Sequence, residues 1–430
     1  MLRWYVIVVS LLHRSANPPI PRMNRRIPPI YTPIPPLSVF LREPRSVGYL
    51  LRVALDALAS RYPAHEISLV DSGTSALRIA LHLALSASPK SDRPTIALPA
   101  WSCPDIATAA LALGAQLRLY DLSPERLEPD LNSVEAALIA GARVLVVPHF
   151  FGRIIDITSI MVIARSYGAV VVEDAAQHAG GSYNGIRGGG LADLAILSFG
   201  RGKGLNAGGG GALLRRRGAP LPPLPRPISP RTLNRYRDIA TIWTTDWLSH
   251  PALFRIPSAL PWLRLGETLY RAPRPVEGIG LTSLHLLPWT LSHEPEQMAI
   301  RRANETWYAS AFNSWSDVST LAIPPTVASG ALRFPIILRQ RLVRDDLPGS
   351  LRELGIVRSY PRTLLGFPEI LAACLNPNDS FPGADRLAAS LITLPTHQFV
   401  TSRDRERIVR ELRRHILLAE NGEPPPLRSA

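Results

Sequence analysis

Lysine is almost absent from this chain. Only Lys90 and Lys203 carry an ε-amine; the other 46 basic residues are arginine. Arginine matches the charge but stays protonated, so it cannot act as an amine nucleophile or form a Schiff base. Chemistry that needs a primary amine on a side chain therefore falls on two positions. Cysteine is as scarce. Cys103 and Cys374 are the only two. They make no disulfide framework and lack metal-site spacing, which points to a reducing, cytoplasmic setting and to no metal centre. No apolar run is long enough to span a bilayer as a helix. Near the start, Arg3 and an apolar run of about nine residues resemble the h-region of a short signal. Met23 follows, and nothing downstream looks secreted, so residues 1–23 read as a disordered or upstream extension. A long basic tail is also missing, although the net charge is +14. The arginines are scattered, apart from short clusters at 215–217, 301–302 and 413–414. That pattern argues against a nucleic-acid partner or a membrane surface, and it suits anionic small substrates.

What is present is a long globular chain. At 430 residues, with 46% hydrophobic and 19% charged residues, it is expected to form two domains. Short apolar strands alternate with helical patterns from Ile67 to Val172, which predicts an α/β fold with a mostly parallel sheet covered on both faces. In such sheets functional residues gather beyond the carboxyl ends of strands. Thr74, Trp101, Cys103, His149 and Asp174 each follow a strand, and together they suggest a shared site. The large domain is placed at 24–290 and a smaller α+β domain at 291–430, with 215–285 as a Pro- and Trp-rich insert or linker. The Pro-rich piece Ile27 to Pro36 should lie extended on the surface. Trp243, Trp247 and Trp262 are expected in core or helix–helix packing. One long amphipathic helix is expected from Glu294 to Phe312.

The stretch 170–214 carries the most chemistry. The run Val170 to Val172 ends on Glu173-Asp174, and Lys203 follows among glycines. A desolvated lysine can condense with an aldehyde. A carboxylate facing a pyridine nitrogen keeps that ring protonated and electron-withdrawing, the pairing that pyridoxal phosphate (PLP) chemistry requires. Ser198 and the Gly73-Thr74 amides could hold its phosphate, because a strand, a small polar turn and a helix start present N–H groups to an anion. The same residues have a plainer reading. In it Asp71 or Ser72 caps a helix, Asp174 caps a turn, and Lys203 sits in an exposed loop. Spacing alone leaves both open.

The segments SGTSAL (72–77), VEDAAQHAGGSYNG (172–185) and SFGRGKGLNAGGGG (198–211), in this order, resemble the DegT/DnrJ/StrS family. RRANETWY (301–308), LRELGIVRSYPRTL (351–364) and LAASLITLPTH (387–397) resemble its small-domain landmarks. The resemblance spans nearly all of 24–418. It implies a fold-type-I PLP aminotransferase, with a large domain built on a mixed, mostly parallel sheet sandwiched by helices and a smaller C-terminal α+β domain. Lys203 matches the lysine that bears the cofactor, Asp174 the partner of its ring nitrogen, and Gln177 a side chain near its ring oxygen. Gly73, Thr74 and Ser198 match phosphate contacts. The residue over the ring face falls on Cys103 by spacing, or on Trp101 after a local shift. His149 matches a turn in which a structural hydrogen bond is expected.

Two departures stand out. The family's acidic residue after the lysine is replaced by Gly209. An Asn-x-Arg loop that reaches across the dimer to the cofactor phosphate has no equivalent between Arg231 and Leu281. The resemblance thus implies a homodimeric enzyme moving an amino group, from L-glutamate, to a keto group of a nucleotide-linked sugar for polysaccharide or secondary-metabolite biosynthesis. Lys203 argues against the dehydrating branch, which carries histidine there. A non-sugar carbonyl acceptor, or a PLP-binding or cofactor-free regulatory protein, are the alternatives.

Overall fold

A computed structural model describes residues 25–36, 46–88, 93–232, 235–339 and 347–420. The readings made for residues 1–23 and for Lys90 lie outside these segments. Helix α1 (Val47–Ala59) leads into strand β1 (His65–Val70) and helix α2 (Gly73–Ser86). The alternation continues through β2 (Thr95–Pro99), α3 (Pro104–Leu111), β3 (Gln116–Tyr120), α4 (Leu131–Ile139), β4 (Val144–Pro148), α5 (Thr158–Ser166) and β5 (Val170–Asp174). Two further strands, β6 (Leu194–Ser198) and β7 (Gly211–Arg216), complete a seven-stranded sheet in the order β1-β7-β6-β5-β4-β2-β3. Only β7 is reversed: it pairs antiparallel with β1 and β6, and the remaining pairs are parallel.

The strands are apolar because both faces are covered. All five residues of β4 are buried, as expected where helices close both sides of a parallel sheet. Helix α2 comes close to the sheet because its inner face is small: Ala76, Ala80 and Ala84 are fully buried. On the other face α1 packs against helix α7 (Leu281–Phe312). That helix begins well before the expected Glu294. It runs through Pro288 and Pro295, each of which removes one backbone donor. Burial of Leu284, Leu286, Leu287 and Leu291 in the same cluster as α1 holds the helix around Pro288, and Tyr308 and Phe312 anchor it beyond Pro295. The domain division expected at 290 therefore falls inside a continuous helix.

The C-terminal part is an α+β unit. Strands β8 (Val318–Thr320), β9 (Phe334–Leu338) and β10 (Leu391–Leu394) form an antiparallel sheet in the order β8-β9-β10, with helices α8 (Pro382–Ser390) and α9 (Ser402–Glu420). Val318, Phe334, Ile336, Ile392 and Leu394 form a core cluster of its own, while Leu364, Phe367, Ile370 and Leu391 join the apolar cluster of β2 and β4.

Two surface expectations are corrected. Residues 27–34 are extended but not superficial: Ile27, Thr32 and Ile34 are buried, and Ile27 packs in the small-domain cluster with Tyr308 and Phe334. The proline pattern fixes the extended backbone; it does not say what that backbone lies against. Conversely, Trp247 and Trp262 are 56% and 73% exposed, and of the three tryptophans only Trp243 packs against a core cluster. The segment that holds them contains helix α6 (Arg235–Leu248) and long irregular stretches.

Candidate active site

The carboxyl ends of β4, β5 and β6 and the first turns of α2 and α3 surround a cavity of about 250 Å³. Gly73, Thr74, Cys103, Asp174, Gln177, Ser198 and Lys203 all line it, with His149, Phe150, Asp105 and Tyr360. Seven of the eight residues singled out for the site thus come to one place. The eighth, Trp101, does not reach the cavity. It is fully buried behind the wall, where its Nε1 donates to the Tyr360 carbonyl at 2.8 Å and its ring meets Phe150 and Tyr360 edge-on or tilted. Cys103 is the residue of the two that faces the space. Trp101 is instead part of the packing behind that wall.

Lys203 sits in the loop between β6 and β7, the only lysine among the described residues. The loop is pinned on both sides. The Lys203 carbonyl accepts from Thr32 Oγ1 at 2.8 Å, and Arg301 donates to the same hydroxyl at 2.6 Å. Next to it, a side chain on Gly204 would stand 2.2 Å from the Ala179 Cα, so only glycine lets the loop lie this close to the turn after β5. The extended N-terminal segment thus fixes the lysine's backbone.

Asp174 ends β5 and accepts from the Ala176 amide at 2.9 Å. Burial raises its carboxyl above the usual carboxylate range, opposed by that amide and by the positive charge of Lys203. A cationic partner in the cavity would favour the ionised form further. Beside it, His149 accepts from the Ile155 amide through Nδ1 at 3.3 Å, which places the ring proton on Nε2, 2.8 Å from Glu173 Oε1. Burial alone would raise Glu173. The His149 ring and the backbone donors of Gly189, Leu191 and Ala192 hold it below its ordinary value instead. His149 is therefore a fixed wall of the cavity.

At the other end, Ser72 caps α2 by accepting from the Ser75 amide, which leaves the Gly73 and Thr74 amides as helix-start donors. A Cβ on Gly73 would lie 2.7 Å from the Ser198 Cβ. Glycine thus brings the helix start against Ser198, and the amides and the hydroxyl converge as an anion cradle. Gln177 is held at both ends, accepting from the Phe151 amide at 3.0 Å and donating to the Tyr360 hydroxyl at 2.7 Å. Burial pushes the Cys103 thiol up to about 12, so it is a neutral packing surface, not a nucleophile. Gly209 stands in the loop before β7, where an added Cβ would lie 3.6 Å from the Ser283 hydroxyl.

Tyr360, Thr32 and Arg301 are contributions not foreseen as site residues. Tyr360 lies in the segment RSYPRTL and adopts a left-handed backbone with φ +53°, which the following proline does not announce. Among the described residues no cluster of His, Cys, Asp and Glu could hold a metal ion, and no helix is long and apolar enough to cross a membrane.

A family model described as the DegT/DnrJ/EryC1/StrS aminotransferase family matches residues 58–219 and 286–413. The chain belongs to this family. It is 34% identical to protein MosB of Rhizobium meliloti over 145 residues, which cover 34% of this chain and 28% of that protein. It is 24% identical over 352 residues to dTDP-3-amino-3,4,6-trideoxy-alpha-D-glucose transaminase of Micromonospora megalomicea, covering 80% and 83% of the two. The fold matches that of the sugar aminotransferase CalS13 from Micromonospora echinospora with a TM-score of 0.67 at 21% identity, over 90% of this chain and 99% of that one. The family match stops at 219 and resumes at 286, so the Pro- and Trp-rich segment lies outside the matched residues.

Proposed function

We propose that the protein is a PLP-dependent aminotransferase that moves an amino group from L-glutamate to a keto group of a nucleotide-linked sugar. The observation that carries this reading is the meeting, in one cavity, of the Lys203 amine, the Asp174 carboxylate and the cradle of Gly73, Thr74 and Ser198. These residues fit the cofactor. The cradle suits its phosphate, Asp174 its ring nitrogen, and Lys203 its aldehyde carbon. When bound, PLP supplies an electron sink for the carbon that loses or gains a proton. Lys203 would act as base and acid, taking a proton from the donor's Cα in one half of the reaction and delivering one to the acceptor carbon in the other. Asp174 would keep the ring nitrogen protonated. Gln177, fixed by Phe151 and Tyr360, and Cys103 line the same cavity and would border the ring, to which the thiol would offer an apolar, water-excluding face.

The nucleotide-linked acceptor is supported by the names of the relatives and by the chain's positive charge, which attracts anionic substrates. The free cysteines suit a cytoplasmic location. A homodimer is supported by exposed apolar side chains gathered in the unmatched segment: Trp247, Ile256, Trp262, Leu263 and Leu265. Exposed apolar side chains in this number favour a covering surface.

The purified protein should bind PLP with a visible absorption band that glutamate bleaches and Lys203→Ala lacks. A colourless protein that takes up no PLP would sink the reading. A panel of nucleotide keto sugars then tests the acceptor. The unmatched segment favours one second reading, a non-sugar carbonyl acceptor, which a bleachable band with no turnover across the panel would support.

A further inference from the structure

Helix α6 lies outside the family-matched residues, yet it rests on the loop that carries Lys203. Three of its side chains make the contact, and their spacing of three and four residues puts them on one face. Ile242 covers Gly208, where any side chain would run into it. Thr245 meets the loop two residues before the lysine. Its hydroxyl donates to the Thr241 carbonyl at 2.7 Å and accepts from Arg201 at 3.1 Å. Asp246 accepts from the Tyr31 hydroxyl at 3.0 Å, and the next residue, Thr32, holds the Lys203 carbonyl. The helix is itself seated: Ile239, Ile242 and Trp243 pack against the cluster that contains Leu205, Ala207 and Leu287. On its inner side the same loop is held by Thr32 and by α7, whose Thr290 donates to the Asn206 carbonyl at 3.0 Å.

We infer that α6 is the outer half of a clamp on the Lys203 loop, and that Ile242, Thr245 and Asp246 are positioning residues for the amine. None of the three lines the cavity, so they act through the loop backbone. The inference rests on the aminotransferase reading only for what the amine does. Composition shows why a clamp is needed. Six of the eleven residues from 200 to 210 are glycine, and glycine loses the most conformational freedom on ordering. A base must also stay within hydrogen-bond reach of the proton it moves, and a misplacement of about 1 Å can cost on the order of 100-fold in rate. The inner contacts fix the carbonyls of Lys203 and Asn206. Arg201 and Gly208, on either side, are met from α6. Through Tyr31 the helix also braces the segment that supplies Thr32.

The test is hydrogen exchange of the PLP-loaded protein, read on peptides that cover 199–210, with steady-state kinetics alongside. Peptides from β4, buried throughout, report global opening. The main variant is Thr245→Val/Tyr31→Phe. It removes the acceptor for Arg201 and the donor to Asp246, and it keeps the Tyr31 ring position against Phe399. Loop exchange should rise about tenfold, as two lost hydrogen bonds allow, while β4 exchange stays at the wild-type rate. Turnover should fall about tenfold with KM for glutamate within about twofold. Thr245→Ser/Tyr31→Phe, which keeps the hydroxyl at 245, should recover part of both changes. Ile242→Ala should also raise loop exchange. Loop exchange equal to the wild type in the double variant overturns the inference. So does a rise shared equally by β4, or a loss carried by KM with kcat unchanged. Bleaching of the visible band by glutamate in the wild type reports the aminotransferase reading separately. Without bleaching that reading falls, and loop exchange still decides the clamp.

Discussion

At the scale of the residue, Lys203 is the amine on which the proposed chemistry depends. Lys203→Arg keeps the charge and removes the nucleophile, so turnover should fall by at least the roughly 10²–10⁴-fold that a positioned acid–base group supplies. Steady-state assays check this, and a variant with near wild-type turnover contradicts it. Asp174→Asn should lower turnover while PLP remains bound, because the cradle and Lys203 are untouched. An absorbance titration alongside the assay separates the two effects. Lys203 and Asp174 were legible in the sequence because their chemistry is scarce there: one of two lysines, and a carboxylate at the end of an apolar strand. Tyr360 and Thr32 were not. Their bonds to Gln177 and to the Lys203 carbonyl span 183 and 171 residues, and no local pattern announces a partner so far away. Trp101 misled because aromatic character suits both a ring face and a packed wall, and only its partners Phe150 and Tyr360, distant in sequence, distinguish them.

At the scale of the element, the extended N-terminal segment links three parts of the molecule. Thr32 holds the Lys203 loop, Tyr31 donates to Asp246 of α6 at 3.0 Å, and His397 of the small domain bonds the Pro28 carbonyl at 2.8 Å. Thr32→Val should loosen the loop, costing about 1–3 kcal/mol for the unmatched buried groups and lowering turnover more than donor affinity. Thermal unfolding and the split between kcat and KM read these out. Asp246 is raised to about 6, chiefly by burial, from an ordinary value of 3.8. A carboxyl raised on folding binds its proton more tightly in the native state. Its stabilising contribution is therefore full below pH 3.8 and is lost as pH rises through about 6. Asp246→Asn should remove this slope, worth about 1–3 kcal/mol across the window, so the wild type loses stability relative to the variant between pH 4 and 6. Parallel melting curves at each pH would contradict it. The strands and helices of the large domain followed from apolar periodicity. The start of α7 did not, because two prolines argue against a helix that buried leucines nevertheless sustain.

At the scale of the whole molecule, sheet, small domain and insert each supply a part of the account. The order of strands and helices made the α/β class readable, and the family motifs made the site readable. The insert 220–285 lay beyond both. Its composition signals only turns and aromatics, while its exposed Trp247 and Trp262 and its arginines take their meaning from what they face. If the apolar patch is covered by a second copy, Trp262→Asp should shift the protein toward monomer in sedimentation velocity without unfolding it. A wild type that sediments as a monomer at all concentrations contradicts the dimer. The central claim is that Lys203 carries the cofactor, and the scarcity of lysine makes its test clean. The PLP-loaded protein is reduced with borohydride and digested, and the peptides are mapped by mass. The account predicts the reduced pyridoxyl adduct on Lys203 alone; an adduct confined to Lys90, or none on either lysine, contradicts it.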